Sequence, residues 1–319
     1  MDGLLIVDKP SGPTSHDIVA SVRRVLRERR VGHTGTLDPM ASGVLPLVIG
    51  RATRLARFVA SDKAYVASIR LGVSTDSYDA LGQRTGEIWT GPWPSAAAVE
   101  SALEPFRGTF DQRPPAFSAK KIDGRRSYAI ARRAGGDTSR AANEDDPVAA
   151  PLPKPARVTT HSIEVMEVAG DLVTLRVRCS AGFYVRSLAH DLGAVLGTGA
   201  HLAALRRTEA AGVGLDRAIS LSDLKAEGGA DRAAGLLIPM DQMLNTLPSV
   251  ELNDQGVSQV RFGRDLSEPD TSAGFAEAIQ AATGPAREWA RLLDPSGHLV
   301  AVAEAATAPG LLHASVVLK

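Results

Sequence analysis

Asp38 sits near the end of His33-Thr34-Gly35-Thr36-Leu37-Asp38-Pro39, a segment dense in turn formers that presents a carboxylate on a loop. Such a carboxylate can act as a nucleophile or as a proton-removing base. It can equally start a turn, because Asp-Pro pairs bond their own backbone. Arg186 is a second candidate. The spacing of Val185, Leu188, Ala189 and Leu192 after Gly182 predicts a helix. Arg186 falls in its first turn, where the macrodipole disfavours a cation by roughly 0.3–1 kcal/mol. A fixed anion nearby would offset that penalty, as would a surface side chain turned away from the helix end. Tyr65 opens an alternating run, a position that suits a ring packed in the core.

Other chemistries find little support in the residue types. The seven histidines are scattered, and no C-x-x-C, H-x-H or H-E-x-x-H spacing occurs, so no protein-bound metal is expected. Gly32-His33-Thr34-Gly35 lacks the Gly-Lys-Ser/Thr ending of a phosphate-binding loop. The single cysteine, Cys179, has no internal disulfide partner, which fits a reducing cytoplasm.

The elements that must position these residues are partly legible. Leu4–Val7 reads as a buried strand rather than a leader peptide, followed by a turn and a helix with Ser15 as N-cap. Ile18, Val19, Val22, Val25 and Leu26 line one face of that helix, and Arg23, Arg24, Arg27, Arg29 and Arg30 the other. Strands are expected at 44–49, 65–71 and 172–179. Residues 135–155 read as a flexible polar loop and 226–235 as a linker. Beyond the linker, a strand near Val250, a helix near 254–262 and a hairpin at Asp294-Pro295-Ser296-Gly297 suggest a small second domain. The expected division is 1–232 and 236–319. Strands and helices mix without regular βαβ alternation, so the fold class is α+β.

The 319 residues balance 36 Lys/Arg against 36 Asp/Glu, but unevenly along the chain. Residues 1–207 hold 28 basic and 21 acidic residues, a net of +7; residues 208–319 hold 8 and 15, a net of −7. The basic half is the expected nucleic-acid face. Lys120, Lys121, Arg125, Arg126, Arg132 and Arg133 form a second basic cluster beside Pro114-Pro115. No stretch reaches the roughly 18 apolar residues of a membrane span.

Three segments, in order, carry a resemblance. GLLIVDKPSGPTSHDIV at 3–19, GHTGTLDPMASGVLPLVIGRATRL at 32–55, and CSAGFYVRSLAHDLG at 179–193 followed by GAHLAALRRT at 199–208 are similar to motifs of the bacterial TruB pseudouridine synthases. The resemblance spans about residues 1–240. It implies a mixed-sheet catalytic domain with a small PUA-like C-terminal domain. It also implies isomerisation of uridine 55 in the T-loop of tRNA, in which the N-glycosidic bond is replaced by a C-glycosidic one and no cofactor is needed. Asp38 would be the catalytic carboxylate, Arg186 its partner and Tyr65 the ring stacked on the base. Tyr184 and Leu205 would line the base pocket, His33 would hold the flipped-out RNA, and Asp79 and Lys121 would assist binding. Ser77-Tyr78-Asp79-Ala80-Leu81-Gly82 departs from the family's more acidic turn, with Asp79 alone carried over. A cytoplasmic monomer acting on the tRNA T-arm is expected, with 236–319 dispensable for catalysis on an isolated stem-loop. The rival readings are a guide-dependent pseudouridine synthase and a non-catalytic RNA-binding or RNA-folding protein.

Overall fold

The structure is a computed structural model and describes residues 1–59, 62–116, 153–284 and 288–318, together with the backbone of 121–122 and 125–126. Lys121's side chain and residues 135–152 of the expected loop lie outside the described residues.

A mixed sheet organises the larger part of the chain. Its strands are β1 (Gly3–Lys9), β2 (Val31–His33), β3 (Ser42–Ile49), β4 (Lys63–Leu71), β5 (Gly108–Gln112), β6 (Ala156–Ala169), β7 (Leu172–Cys179), β8 (Ala200–Ala210) and β9 (Ala218–Ser220). The spatial order is β9-β1-β3-β8-β4-β7-β6-β5, with β2 paired to β3. The β1–β9 and β3–β8 pairs are parallel and the remaining neighbours along this order antiparallel.

The long apolar runs of β1 and β3 follow from burial on both faces. Leu5 and Val7 join the core beneath helices α1 (Ser15–Leu26), α2 (Ala96–Leu103) and α3 (Val185–Val195). Leu4 and Ile6 point the other way, into a core shared with Phe58 and with Leu299 and Val302 near the C-terminus. In β4 only one face is fully covered, so Tyr65, Ala67, Ile69 and Leu71 are buried while Val66, Ser68 and Arg70 are not.

Three local expectations change. The N-cap of α1 is Thr14, whose hydroxyl accepts from Asp17 N while the Asp17 carboxylate accepts from Thr14 N, a reciprocal capping box. This leaves Ser15 inside the helix and free to bond elsewhere. Arg27 takes a left-handed conformation (φ 52°) and ends α1, so Arg29 and Arg30 are not on its face. The stretch expected as a linker is largely helical. Residues Leu221–Lys225 (α4) and Gly229–Leu236 (α5) pack against β9, and a Cβ on Gly229 would come within 2.1 Å of Leu224 O. Gly229 thus serves close packing, not slack. Beyond α5, Ile238–Pro239 still pairs with β1.

A second sheet holds β10 (Ser249–Leu252), β11 (Thr271–Ala273), β12 (Ala290–Leu293), β13 (Leu299–Ala305) and β14 (Leu312–Val317), in the order β11-β10-β12-β13-β14. Helices α6 (Asp254–Arg261) and α7 (Phe275–Thr283) cover it, and its hairpin turns at Asp294-Pro295-Ser296-Gly297.

Candidate active site

The Asp38 loop joins β2 to β3 and is hung from side chains of three other elements. Leu37 anchors it by burying its side chain in the core. Ser15, at the start of α1, binds Leu37 twice: its hydroxyl accepts from Leu37 N at 2.9 Å and donates to Leu37 O at 3.0 Å. Lys9, at the end of β1, donates to Ala41 O (2.6 Å), Pro10 O (2.9 Å) and Pro39 O (3.3 Å). Arg207, from β8, donates to Val44 O (2.7 Å) and Gly35 O (3.0 Å). Lys9 and Arg207 are both fully buried, and carbonyl dipoles replace the water they have lost. Burial pushes the Lys9 ammonium down to about 8, against the pull of nearby Asp38 and with the repulsion of Arg207.

From this fixed loop the Asp38 carboxylate remains about one-third exposed, facing Arg186, which is 7% exposed. Arg186 Nε lies 2.9 Å from Asp38 Oδ2, and Nη2 donates to Oδ1 at 3.3 Å, a two-point contact that fixes orientation as well as distance. Nη1 of the same guanidinium donates to Ser77 O at 3.2 Å and lies 3.7 Å from Asp79 Oδ2. Asp79 is itself buried and accepts from Ser77 Oγ (2.7 Å) and Leu81 N (3.0 Å). One arginine thus serves two carboxylates. That answers the anomaly of a cation at a helix N-terminus.

Tyr65 and Arg207 are direct partners across the β4–β8 ladder, and Leu205, two residues earlier, shares their face opposite Ala67. Burial pushes the Tyr65 phenol up to about 12 despite a hydrogen bond to Arg207, so the ring is neutral near pH 7. Tyr184 is half-buried and caps α3 through its backbone alone: its N–H donates to Gln112 Oε1 (2.8 Å) and its carbonyl accepts from Gln112 Nε2 (3.0 Å). His33 ends β2, meets the His16 ring edge-on at 5.6 Å, and has a buried Nδ1 without a hydrogen-bond partner among the described residues. Burial, then His16 and Arg207, hold its imidazole below the usual range.

Arg186 therefore contacts both Asp38 and Asp79, while Tyr65 and Leu205 share the neighbouring sheet face. Sequence reasoning missed Lys9, Ser15, Gln112 and Arg207. Arg206-Arg207 looks like surface charge, yet strand alternation turns Arg206 out to Asp8 (2.8 Å) and Arg207 in. Among the described residues no cluster of three or more His, Cys, Asp or Glu side chains is placed to hold a metal ion. No described helix is long and apolar enough to cross a membrane.

The structure is similar to a chain of an H/ACA RNP bound to a substrate RNA containing 2′-deoxyuridine, with a TM-score of 0.69, 26% identity, and coverage of 99% of this chain and 85% of that one. A chain of a Cbf5–Nop10–Gar1 complex matches with a TM-score of 0.69 at 27% identity over the same shares. The family model for the N-terminal domain of TruB family pseudouridylate synthases matches residues 23–185, and that for the tRNA pseudouridylate synthase B C-terminal domain matches 186–245. Among curated relatives, the tRNA pseudouridine synthase B of Solibacter usitatus is 42% identical over 319 residues, all of both chains. That of Azoarcus is 42% identical over 275 residues, 86% of each. The chain belongs to the TruB family of pseudouridine synthases.

Proposed function

We propose that this chain isomerises uridine 55 in the T-loop of tRNA to pseudouridine, with Asp38 as the reactive carboxylate. The observation that carries this reading is the Asp38–Arg186 two-point pair, with the carboxylate still about one-third exposed. In the reaction N1–C1′ breaks, the uracil turns, and C5–C1′ forms within one nucleotide. No group donor or electron carrier enters the balance, and no cofactor is assigned. Asp38 acts on the reacting nucleotide as nucleophile or base. The base leaves its stack to reach the carboxylate, and stacking on Tyr65 offsets that by about 1–3 kcal/mol. Tyr184 and Leu205 line the base pocket, His33 holds the displaced RNA strand, and Lys121 contributes charge toward the backbone.

The chain reads as two units, a catalytic one over 1–232 and a PUA-like one over 236–319. It works as a cytoplasmic monomer on the T-arm. A guide-dependent role is not favoured, because a full-length relative at 42% identity is named tRNA pseudouridine synthase B, whereas the ribonucleoprotein chains stand at 26–27%.

Asp38→Asn, nearly isosteric, tests the assignment on unmodified tRNA transcript. Product formation is expected to fall at least about a thousandfold while tRNA affinity stays within a few-fold. Turnover within about tenfold of the wild type would remove Asp38 from the chemistry.

A further inference from the structure

Asp79 is presented by the tip of a short hairpin, Ser74–Thr75 against Arg84–Thr85. At that tip Tyr78 adopts φ +63°, the left-handed region that side chains other than glycine and asparagine rarely occupy. A residue in that conformation persists when its surroundings over-determine it. The backbone supplies part of the hold. Tyr78 N donates to Thr75 O at 3.2 Å, Leu202 N donates to Tyr78 O at 2.9 Å, and Ala80 N donates to Leu202 O at 3.0 Å.

The ring supplies the rest. Tyr78 stacks face to face on His190, with centroids 3.8 Å apart and planes 12° from parallel. His190 is four residues after Arg186 on α3, so the two side chains leave the helix on one face, a turn apart. That single face grips three consecutive turn residues. Arg186 holds Ser77 O and faces the Asp79 carboxylate, and His190 covers Tyr78 between them. His190 Nδ1 is buried and has no hydrogen-bond partner among the described residues. The imidazole is thus held by its flat contact with the phenol more than by polar bonds. Burial also keeps this imidazole below its usual range, so a neutral ring, not a second cation, stands beside Arg186.

We infer that the Tyr78–His190 stack is a positioning device for the reaction. It fixes the turn that carries Asp79, and through Asp79 and Ser77 O it fixes the far end of the Arg186 guanidinium whose near edge orients Asp38. Tyr78 and His190 act through Arg186 and do not touch the reacting atoms. The inference rests on the site reading given above, and it names two residues whose pairing the three family motifs do not link.

The test compares Tyr78→Phe, Tyr78→Gly, His190→Ala and the double variant Tyr78→Gly/His190→Ala with the wild type and with Asp38→Asn on unmodified tRNA. Glycine accepts φ +63° without strain, so Tyr78→Gly folds and removes only the ring. Tyr78→Gly and His190→Ala are each expected to lower kcat by about ten- to a hundredfold with KM within about threefold, the scale of a misplaced catalytic group. Tyr78→Phe keeps the stack and stays within about twofold of wild type, and the double variant falls no further than either single one, as expected for partners in one contact. Wild-type kcat in Tyr78→Gly or His190→Ala overturns the inference, as does a rise in KM alone, which would make the rings part of RNA binding. If Asp38→Asn also turns over normally, the site reading itself fails; if it alone is inactive, only the stacking role is lost.

Discussion

Two fully buried cations, Lys9 and Arg207, donate to backbone carbonyls and make no direct ion pair with Asp38. Their charge lies under the loop on strands β1 and β8, and Arg186, which contacts Asp38, reaches it from helix α3. Not every partly buried charge in the region is compensated this way. Burial pushes the Asp191 carboxyl up to about 6, with no opposing cause. A folded-state value above the unfolded one means that the folded protein holds the proton longer. Stability is therefore lost as pH rises from about 4 to about 6, and the cost persists above that window. Asp191→Asn is expected to stabilise the protein near pH 7.5 by about 1–2 kcal/mol, with the gain vanishing below about pH 4. Thermal melts at the two pH values read both the size and the sign.

At the level of elements, the sequence declares strands and helices more readily than it declares what suspends the loop between them. Alternation in β4 marks Tyr65 as inward, and helical spacing places Arg186 near the start of α3. The Arg186 anomaly was legible because a cation opposed the helix dipole. Arg207 was not, because only the pairing of β8 with both β3 and β4 reveals which of two adjacent arginines turns inward. Ser15 was misread as a cap because Thr14 and Ser15 are both competent, and the Asp at the third helical position decides for Thr14. The misreading matters, since Ser15 binds Leu37 on both backbone groups next to Asp38. Ser15→Ala leaves a buried N–H without its acceptor, a cost of about 1–3 kcal/mol. It should also lower kcat by about tenfold while KM stays near wild type, because the loop loses its register with Arg186. Melting temperature and steady-state kinetics on the same preparation check both outcomes.

For the whole molecule, the second sheet is not an appendage. Leu299 and Val302 of β13 pack in one core with Leu4 and Ile6 of β1 and Val44 and Val48 of β3. Trp289 meets Phe58 edge-on at 4.9 Å, and the Arg57 guanidinium lies over both rings. The outer face of the catalytic sheet is thus covered by the C-terminal part, which argues against the expectation that 236–319 is dispensable. A chain truncated after Leu247 should expose that face and melt well below the full-length protein or aggregate, whichever RNA is offered. A truncated chain with the full-length melting temperature would show the two units to be independent. Nothing in the sequence pattern of either half announces this shared core, because both sides of it read as ordinary strand interiors.

This chain is expected to convert one uridine of the tRNA T-loop by itself. The most direct measurement incubates the full chain alone with an unmodified tRNA transcript and maps pseudouridine along the product. Pseudouridine is expected at uridine 55 and at no other position, without guide RNA or accessory protein. Conversion elsewhere, no conversion, or conversion only when a guide RNA and accessory proteins are supplied would contradict it.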